Sequence, residues 1–526
     1  MTRRLYSLLI LAAVFCATFI PRMMLIGGPP ATDEGIYAYN AWLIHLAPQP
    51  GGLLPDSGTL NIYPALLSWI FALDLNHFLA LRFADAILAA FAGMMLYWVL
   101  ANESGSQTAG AVIAVGWLLT MNDPVFIQYG FKNSIAFACL PMLTAILIGQ
   151  NTGQRQSLPW FWCGALLATA ALLREPFVSL ALAGTVAVLV RGGPKGAAAY
   201  AAGGTITAAL GMLCIISMRG GYEQLLQSYI DTGKMLSGIA YQQQALLETS
   251  PWTFAKNATG ALLVSASMLI ILACNAVSPR SVTQPSRILF WLALAITPLI
   301  EPMLKNGFPY HYATSLIGLA GLTALGWQTI QRHYPHRTSP GMAILILAFG
   351  VLLIPKLHKL YENHTRYTAA LNPLTPFADW PSSTVRQSNY LLIAETIRRQ
   401  AGTDATIATI AISGSMLGII PLTGLRPSRP DLAHLSYLYL HSGNNPKAFK
   451  SKLSTCLPDF VLLTNSSPFR DTRTLETAIN ELQGYIPAGY IPKSATRHYG
   501  NFDGAIFRWS AGPRPCLKGS PQGDGA

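Results

Sequence analysis

Residues 165–193 read ALLATAALLREPFVSLALAGTVAVLVRGG, in which two long apolar runs flank the short charged turn Arg174-Glu175-Pro176. The hydrocarbon core of a bilayer is about 30 Å thick, and a helix needs roughly 20 apolar residues to cross it. The two runs, which extend over 158–173 and 176–191, therefore predict a pair of membrane-spanning helices that run in opposite directions.

The composition of the whole chain agrees with a membrane protein. Of its 526 residues, 52% are hydrophobic and only 11% are charged, whereas soluble domains are roughly 25% charged. The net charge is +12, but the lysines and arginines are scattered through short loops rather than gathered in one patch. Because scattered loop cations are typical of membrane topology, no nucleic-acid partner is predicted.

Eleven apolar runs predict a polytopic α-helical membrane protein with about eleven transmembrane helices. The runs are residues 5–26, 78–100, 107–122, 132–149, 158–173, 176–191, 197–217, 258–275, 287–301, 311–329 and 340–355. Alternate loops carry arginines and lysines with almost no acid, and such loops lie in the cytoplasm. We therefore predict an integral protein of a bacterial inner or plasma membrane, with its N-terminus in the cytoplasm and its C-terminus outside.

The C-terminal part of the chain has the pattern of a soluble domain. NYLLIAETIRRQAG (389–402) predicts an amphipathic helix, and ATIATIAI (405–412), DFVLLT (459–464) and GAIFRWS (504–510) predict strands. We therefore divide the chain into a transmembrane catalytic domain (1–355), an extracytoplasmic α/β domain (356–512) and a Gly/Pro-rich, disordered tail (513–526).

The seven cysteines include no pair with the CxxC spacing of a zinc or thioredoxin-type site. Five of them lie inside apolar runs, whereas Cys456 and Cys516 lie in the predicted extracytoplasmic domain. In an oxidising compartment a disulfide between these two would stabilise the domain by about 4 kcal/mol. Two free thiols are the alternative.

The segment TDEGIYAYNAW (32–42) places two acids, Asp33 and Glu34, directly after the first span. A short helix running through Gly35 to Leu46 would have apolar surface and is predicted to lie along the membrane interface. Thr32 or Asp33 could simply cap this helix in a solvated loop. Alternatively, a carboxylate held at the mouth of the helical bundle suits a general base.

TDEGIYAYNAW resembles the signature of the C-type glycosyltransferase superfamily, whose members use polyprenyl-phosphate sugars as donors. The pattern is most similar to protein O-mannosyltransferases and lipid A aminoarabinose transferases. Further segments resemble that superfamily in the same order, including its extracytoplasmic α/β domain. They are NIYPALLSWIFALD, LRFADAILAAFAGMMLYWVLA, residues 165–193, FPYHYATSLIGLAGLTALGW, ETIRRQAGTDATIATI and PDFVLLT.

The resemblance implies an inverting glycosyltransferase that moves a sugar from a polyprenyl phosphate to a lipid, glycan or protein hydroxyl on the extracytoplasmic face. It assigns the catalytic base to Asp33, with Glu34 orienting the base or the acceptor. The donor phosphate would be bound by cations in the predicted outer loops, for which the candidates are Lys305, His311, Arg174 and Lys132. Each of these could instead extend to the interface for structural reasons alone.

Aromatic side chains in the same predicted outer loops are candidates for substrate binding. They are Tyr37, Trp42, Tyr63 and Tyr310. Stacking on a sugar face is one role, and membership of the aromatic belt at the bilayer boundary is the alternative.

Two departures from the superfamily pattern bear on metal dependence. Tyr63-Pro64-Ala65 stands where relatives have a double proline, and Lys132-Asn133-Ser134 stands where many relatives have a second acid. Asp123, a few residues earlier, could substitute for that acid or could cap a turn. No metal ligands and no certain cofactor are therefore predicted. Whether the protein uses a divalent cation is left open.

Two other functions share parts of this pattern. A polyprenyl-linked oligosaccharide ligase or polymerase would rely on Arg and His clusters in a large outer loop. A lipid-glycan transporter or flippase would bury charges near the midplane of broken helices, often in two matching halves. Here the charges lie at span ends and no duplicated half is visible, so the enzyme is favoured.

Overall fold

A computed structural model of the chain describes its helices, its sheet and several of their connections. The described residues are 3–26, 32–46, 62–73, 77–127, 135–153, 156–218, 220–276, 285–299, 309–333, 338–367, 387–402, 404–411, 417–427, 458–464, 485–491 and 504–510, some of them by backbone alone.

Helices make up most of the described chain. They are α1 (Arg3–Met24), α2 (Thr32–Leu46), α3 (Ile62–Leu67), α4 (His77–Ser104), α5 (Gln107–Met121), α6 (Pro124–Ile127), α7 (Ile135–Asn151), α8 (Ser157–Leu173), α9 (Val178–Met218), α10 (Tyr222–Ala276), α11 (Pro285–Ile296), α12 (Ser315–His333), α13 (Thr338–Tyr367), α14 (Gln387–Gln400) and α15 (Ile419–Thr423). Single 3-10 turns cover Ser68–Ala72, Glu175–Phe177, Thr297–Leu299 and Pro309–Tyr312.

Each predicted span falls largely within one of these helices. Five segments of the described chain are long and apolar enough to cross a membrane: Leu5–Met24, Leu79–Ser104, Val178–Met218, Pro251–Asn275 and Gly341–Glu362. The remaining apolar helices are shorter, with 10–17 residues. The helical membrane fold is thus confirmed, while the number of eleven spans stays a prediction.

α9 combines two predicted spans, 176–191 and 197–217, in one element. The helix is broken at Gly193, whose φ of 62° lies in the left-handed region that favours glycine. The hydroxyl of Tyr200 donates a hydrogen bond of 2.6 Å to the carbonyl of Ala181. Because these residues lie on opposite sides of the break, the two halves pack against each other as an antiparallel pair.

The outer face of α9 is apolar and exposed. Leu182, Val186, Leu210 and Leu213 are each 60% exposed or more. A contiguous apolar surface of this kind marks contact with lipid in a membrane protein. Together with the helix lengths, it identifies the chain as an integral membrane protein.

The core of the helical part is built from large aromatic side chains set against small residues. Trp117, Trp291 and Trp327 are almost completely buried. A Cβ added at Gly321 would lie 2.0 Å from the ring of Trp291, and one added at Gly116 would lie 2.5 Å from the ring of Phe349. Glycine at these positions therefore lets neighbouring helices approach closely enough to enclose the rings.

The C-terminal part contains the predicted α/β sheet. Its strands are β1 (Thr406–Ala411), β2 (Arg426–Pro427), β3 (Phe460–Thr464), β4 (Tyr485–Ile491) and β5 (Gly504–Trp509), in the order β2-β1-β3-β5-β4. β1 is parallel to β2 and β3, whereas β5 is antiparallel to β3 and β4. The three predicted strands and the amphipathic helix, α14, are all present.

Two side chains fix the ends of these strands. The carboxylate of Asp459 accepts a 2.6 Å hydrogen bond from the backbone of Thr406 and so ties β1 to the start of β3. The hydroxyl of Tyr485 donates a 2.6 Å hydrogen bond to the carbonyl of Pro458, and its ring packs edge-on against Trp509. Burial raises the pKa of Tyr485, so this donor stays protonated at neutral pH.

The chain forms two compact units. One comprises residues 1–26, 82–214 and 242–366, and the other comprises 27–81, 215–241 and 367–526. In the second unit α2 packs against α15, so the first loop and the C-terminal sheet belong to one body. The predicted boundaries at 355 and 512 stay predictions, and Cys456, Cys516 and the predicted tail lie outside the described residues.

Candidate active site

The predicted base lies at the start of α2. This helix begins at Thr32, so Asp33 and Glu34 occupy its first turn, where the positive end of the helix dipole favours a negative charge. Only the backbone of Asp33 is described. The side chain of Glu34 is fully buried, which excludes a solvated position for this acid. Since burying a carboxylate is costly, the surrounding polar contacts must compensate it.

Each aromatic candidate of the first loop packs against another aromatic ring. The rings of Tyr37 and Tyr63 meet edge-on with their centroids 5.2 Å apart, which joins α2 to α3. Tyr63 is 2% exposed and Trp42 is 6% exposed. The ring of Trp42 lies 6.1 Å from that of Tyr39. Trp42 therefore packs in the interior of its unit, unlike a residue of an exposed aromatic belt.

Two of the predicted phosphate ligands lie in the other compact unit. Arg174 caps the C-terminal end of α8, and its backbone N–H donates to the carbonyl of Ala170 at 2.9 Å. His311 lies in the 3-10 turn before α12. Both side chains are buried, at 6% and 5% exposure, so neither extends to water as a boundary cation does. Lys132 and Lys305 lie outside the described residues, and of Tyr310 only the backbone is described.

A group of charged residues, of which the sequence pattern singled out only Asp123, centres on that acid. This carboxylate is 2% exposed and forms ion pairs with Lys356 at 3.0 Å and with Lys359 at 3.3 Å. Lys356 also donates to the backbone carbonyl of Asn257. The two lysines belong to α13, so Asp123 joins the end of α5 to the C-terminal half of α13.

Neighbouring polar contacts extend this group to α1 and α4. Arg22 donates to Asn122 at 2.9 Å and pairs with Asp85, while Arg82 donates to the carbonyl of Ile26 at 2.5 Å. The group, called the Asp123 cluster below, consists of Arg22, Arg82, Asp85, Asn122, Asp123, Lys356 and Lys359. Four cations face two carboxylates within it, so the cluster is net positive.

A second charged layer lies at the opposite end of α4. Glu103 pairs with Arg287 at 2.8 Å and accepts a 3.0 Å hydrogen bond from Gln150. Asp85 and Glu103 are 18 positions apart with no charged residue between them, which is about 27 Å along a helix. That separation matches a hydrocarbon core of about 30 Å. The helical unit thus has an Asp85 end and a Glu103 end.

A cavity of about 60 Å³ reaches into the helices from the Asp123 cluster. Arg22, Asn122 and Thr18 give it a polar side, and Phe126 and Ala313 contribute apolar surface. The hydroxyl of Thr18 is buried and has no hydrogen-bond partner among the described residues. The cavity therefore offers both apolar surface and hydrogen-bonding capacity.

A row of aromatic rings links Lys356 to the turn that carries His311. The Nζ of Lys356 lies 5.9 Å above the ring of Phe126. The rings of Phe126 and Phe254 are 5.8 Å apart, and those of Phe254 and Tyr312 stack at 5.1 Å. The cations of α13 and the predicted ligand His311 are thus connected through one packed surface.

This arrangement suits the binding of an anion. Buried cations fixed by hydrogen bonds stabilise a negative charge more strongly than cations in water, because the surrounding dielectric is low. The spacing Lys356-x-x-Lys359 after the last apolar run was the available sequence signal, since residues three apart share a helix face. Arg22, at the end of the first run, was a second signal.

Asp123 was predicted either to substitute for a missing second acid or to cap a turn, and the structure shows the turn. Its carbonyl accepts the 2.8 Å hydrogen bond from Phe126 that starts α6, and its carboxylate binds two lysines. It is thus a turn residue and an ion-pair partner. Within the described ranges, no group of three or more His, Cys, Asp or Glu side chains is placed to hold a metal ion.

No protein-family model and no curated protein sequence matches the chain. Several solved structures, in contrast, are similar to the chain. The oligosaccharyltransferase of Archaeoglobus fulgidus is 13% identical, with 88% of this chain and 70% of that chain covered and a TM-score of 0.53. The arabinofuranosyltransferase AftD from Mycobacteria is 14% identical, with 97% and 40% covered and a TM-score of 0.47.

ArnT from Cupriavidus metallidurans, solved with undecaprenyl phosphate bound, is 11% identical, with 96% and 98% covered and a TM-score of 0.41. Among these three, the archaeal enzyme gives the likeness that bears on the fold. At 13% identity this likeness shows the fold alone, and to that extent it confirms the fold implied by the sequence resemblance.

Proposed function

We propose that the protein is an inverting glycosyltransferase that moves a sugar from a polyprenyl-phosphate donor to a hydroxyl of a lipid, glycan or protein. The reaction takes place on the extracytoplasmic face of the membrane.

The observation that carries the proposal is the position of the acid pair. Asp33 and Glu34 begin α2, the first helix after the N-terminal span, in a chain with the fold of an oligosaccharyltransferase. Fold alone does not assign a function. The buried acid Glu34 at the start of α2, next to the proposed base Asp33, adds a chemical reason for assigning this function.

The reaction needs one base and no general acid. A hydroxyl of the acceptor attacks the anomeric carbon, the bond from that carbon to the phosphate oxygen breaks, and the lipid phosphate leaves with the electron pair. Because phosphate is already a good leaving group, protonation is unnecessary. Asp33 takes the hydroxyl proton, and Glu34 orients the base or the acceptor. A single displacement inverts the anomeric configuration.

Positive charge stabilises the phosphate as it leaves. The proposal assigns this role to Arg174, His311, Lys305 and Lys132, and extends it to the Asp123 cluster, which has a net positive charge. Fixed cations in a low-dielectric site stabilise charge that develops in the transition state without having to reorganise.

The composition of the compact unit that contains α2 supports an extracytoplasmic location for the acid pair. It unites residues 27–81 with residues 367–526, and segments that pack in one body cannot be separated by a bilayer. An even number of spans must then lie between these two segments. Because one predicted span precedes residue 27 and none follows residue 367, the total number of spans is odd. An odd total with a cytoplasmic N-terminus agrees with the loop charges.

The test compares envelope glycans of cells that carry and cells that lack the protein. Mass spectrometry of extracted lipids and glycans should show one sugar missing in the deleted strain, and the molecule from which it is missing identifies the acceptor. The wild-type gene and Glu395→Gln, an exposed acid of α14, should restore the sugar, whereas Asp33→Asn should not. Full restoration by Asp33→Asn would refute the assigned base.

A further inference from the structure

The Glu103 end of the helical unit contains a pocket of about 430 Å³. It lies where α1, the end of α4 and the start of α5 meet. Its volume falls within the range of about 300 to 1,000 Å³ that is usual for small-molecule sites. Asn102, which lines it, is 17 positions from Asp85, or about 25 Å along α4. The pocket is therefore separate from the Asp123 cluster.

The pocket lies at the boundary between lipid and water. Leu5, Leu8 and Leu9 of α1 are 48%, 63% and 53% exposed, so that face of the helix contacts lipid tails. Ser7 of the same helix lines the pocket. On α4, the apolar run ends at Asn102 and Glu103, which places the pocket at the level of lipid headgroups.

The side chains that line the pocket match the two parts of a phospholipid. Ser7, Asn102, Ser106 and Gln107 supply hydroxyl and amide donors. Phosphodiester and ester oxygens are acceptors, and none of the described residues that line the pocket carries a carboxylate to repel them. Leu11 and Trp98 supply apolar surface for the first methylenes of an acyl chain. Tryptophan suits this depth because its ring is apolar and its N–H is polar.

We propose that this pocket binds a glycerophospholipid, with the phosphate and glycerol esters at the polar side chains and the upper acyl chain against Leu11 and Trp98. The bound lipid joins the N-terminal helix to α4 and α5. This lipid site does not depend on the proposed glycosyl transfer. It would bind the lipid even if the protein catalysed another reaction.

The first test uses purified, delipidated full-length protein and phosphatidylglycerol as the probe. Native mass spectrometry should show one retained phosphatidylglycerol, and the midpoint of thermal unfolding should rise as lipid is added. The double variant Asn102→Leu/Gln107→Leu should bind about tenfold more weakly, since two donors are lost. Gln156→Leu, an exposed glutamine at the start of α8 outside the pocket, should bind like the wild type.

Two results would overturn the proposal. One is equal retention of phosphatidylglycerol by the double variant and the wild type. The other is an equal rise in the unfolding midpoint with inorganic phosphate or glycerol phosphate, which would make the ligand a soluble anion.

A second measurement does not depend on the variants folding. Phosphatidylglycerol with a photoreactive group near the ester is irradiated with wild-type protein, and the labelled peptides are sequenced. Peptides that contain Ser7, Trp98 or Asn102 should be labelled. Labelling confined to other helices would refute the site.

Discussion

At the scale of single residues, Asp123 shows how much depends on one buried carboxylate. It is 2% exposed and balances two lysines that come from a helix more than 230 positions later in the chain. A buried ion pair adds little over an apolar pair, but removing one partner leaves the other charge buried and uncompensated. The cluster is therefore more sensitive to loss of the acid than to loss of Lys359, whose side chain is 39% exposed.

Asp123→Ala should lower the free energy of unfolding by about 3 to 5 kcal/mol, because Lys356 would be left without its carboxylate. The measurement is thermal and denaturant unfolding of purified protein in detergent. Glu362→Gln is the matched control, since Glu362 is an acid of α13 that is 59% exposed and pairs with His358, which is itself 69% exposed. The control should change stability by less than about 1 kcal/mol. Equal effects of the two substitutions would contradict this account of Asp123.

At the scale of elements, the contact between α8 and α9 depends on glycine. A Cβ added at Gly164 would lie 1.9 Å from the carbonyl oxygen of Tyr200, and one added at Gly203 would lie 2.0 Å from that of Phe161. These contacts are with backbone atoms, which cannot move aside as a flexible side chain does. The two helices therefore pack at a distance that only glycine permits.

Gly164→Ala should force α8 and α9 apart and cost at least about 1 to 3 kcal/mol. Gly204→Ala is the control, because its nearest neighbour would be 3.6 Å away, an ordinary contact. Alanine also favours helix over glycine by about 1 kcal/mol, so the control should be neutral or stabilising. Thermal unfolding of the two variants measures this difference. If Gly164→Ala were as stable as the wild type, α8 and α9 would pack less closely than described.

Local patterns predicted the elements of this chain well. Long apolar runs gave helices such as α1 and α8, and short alternating or apolar runs gave β1, β3 and β5, because the signal for each is contained in consecutive residues. The break in α9 was predicted only as a loop between two spans. Its left-handed Gly193 depends on the packing of both halves.

Contacts between distant segments were not predictable in the same way. Nothing near Asp123 in sequence indicates Lys356, and nothing near Glu103 indicates Arg287, since such pairs form only once the helices are packed. Asp33 and Glu34 were found because they are adjacent acids in an apolar context. The Asp123 cluster was missed because its members are spread over three helices, α1, α4 and α13, and the turn that follows α5.

At the scale of the whole molecule, the two compact units combine segments that are far apart in sequence. The unit with the C-terminal sheet also contains α2 and α3 of the first loop. The two segments must therefore reach the same side of the membrane, whatever the number of intervening spans.

Cysteine labelling tests whether the first loop and the C-terminal sheet lie on the same side of the membrane. In a background without the native cysteines, Leu46→Cys and Arg399→Cys should react with an impermeant maleimide from outside intact cells, because both side chains are exposed. Gln156→Cys, in a loop predicted to be cytoplasmic, should react only after the membrane is opened. Labelling of Leu46→Cys and Arg399→Cys from opposite sides would contradict the described unit.

The central claim is that Asp33 removes the acceptor proton while a sugar leaves its polyprenyl phosphate. The most direct measurement is the rate at which purified protein in liposomes releases polyprenyl phosphate from the polyprenyl-phosphate sugars of the source cells, with envelope extract as the acceptor. We predict release by the wild type and a rate at least about 100-fold lower for Asp33→Asn, with unchanged thermal stability. Release by Asp33→Asn at the wild-type rate would contradict the claim.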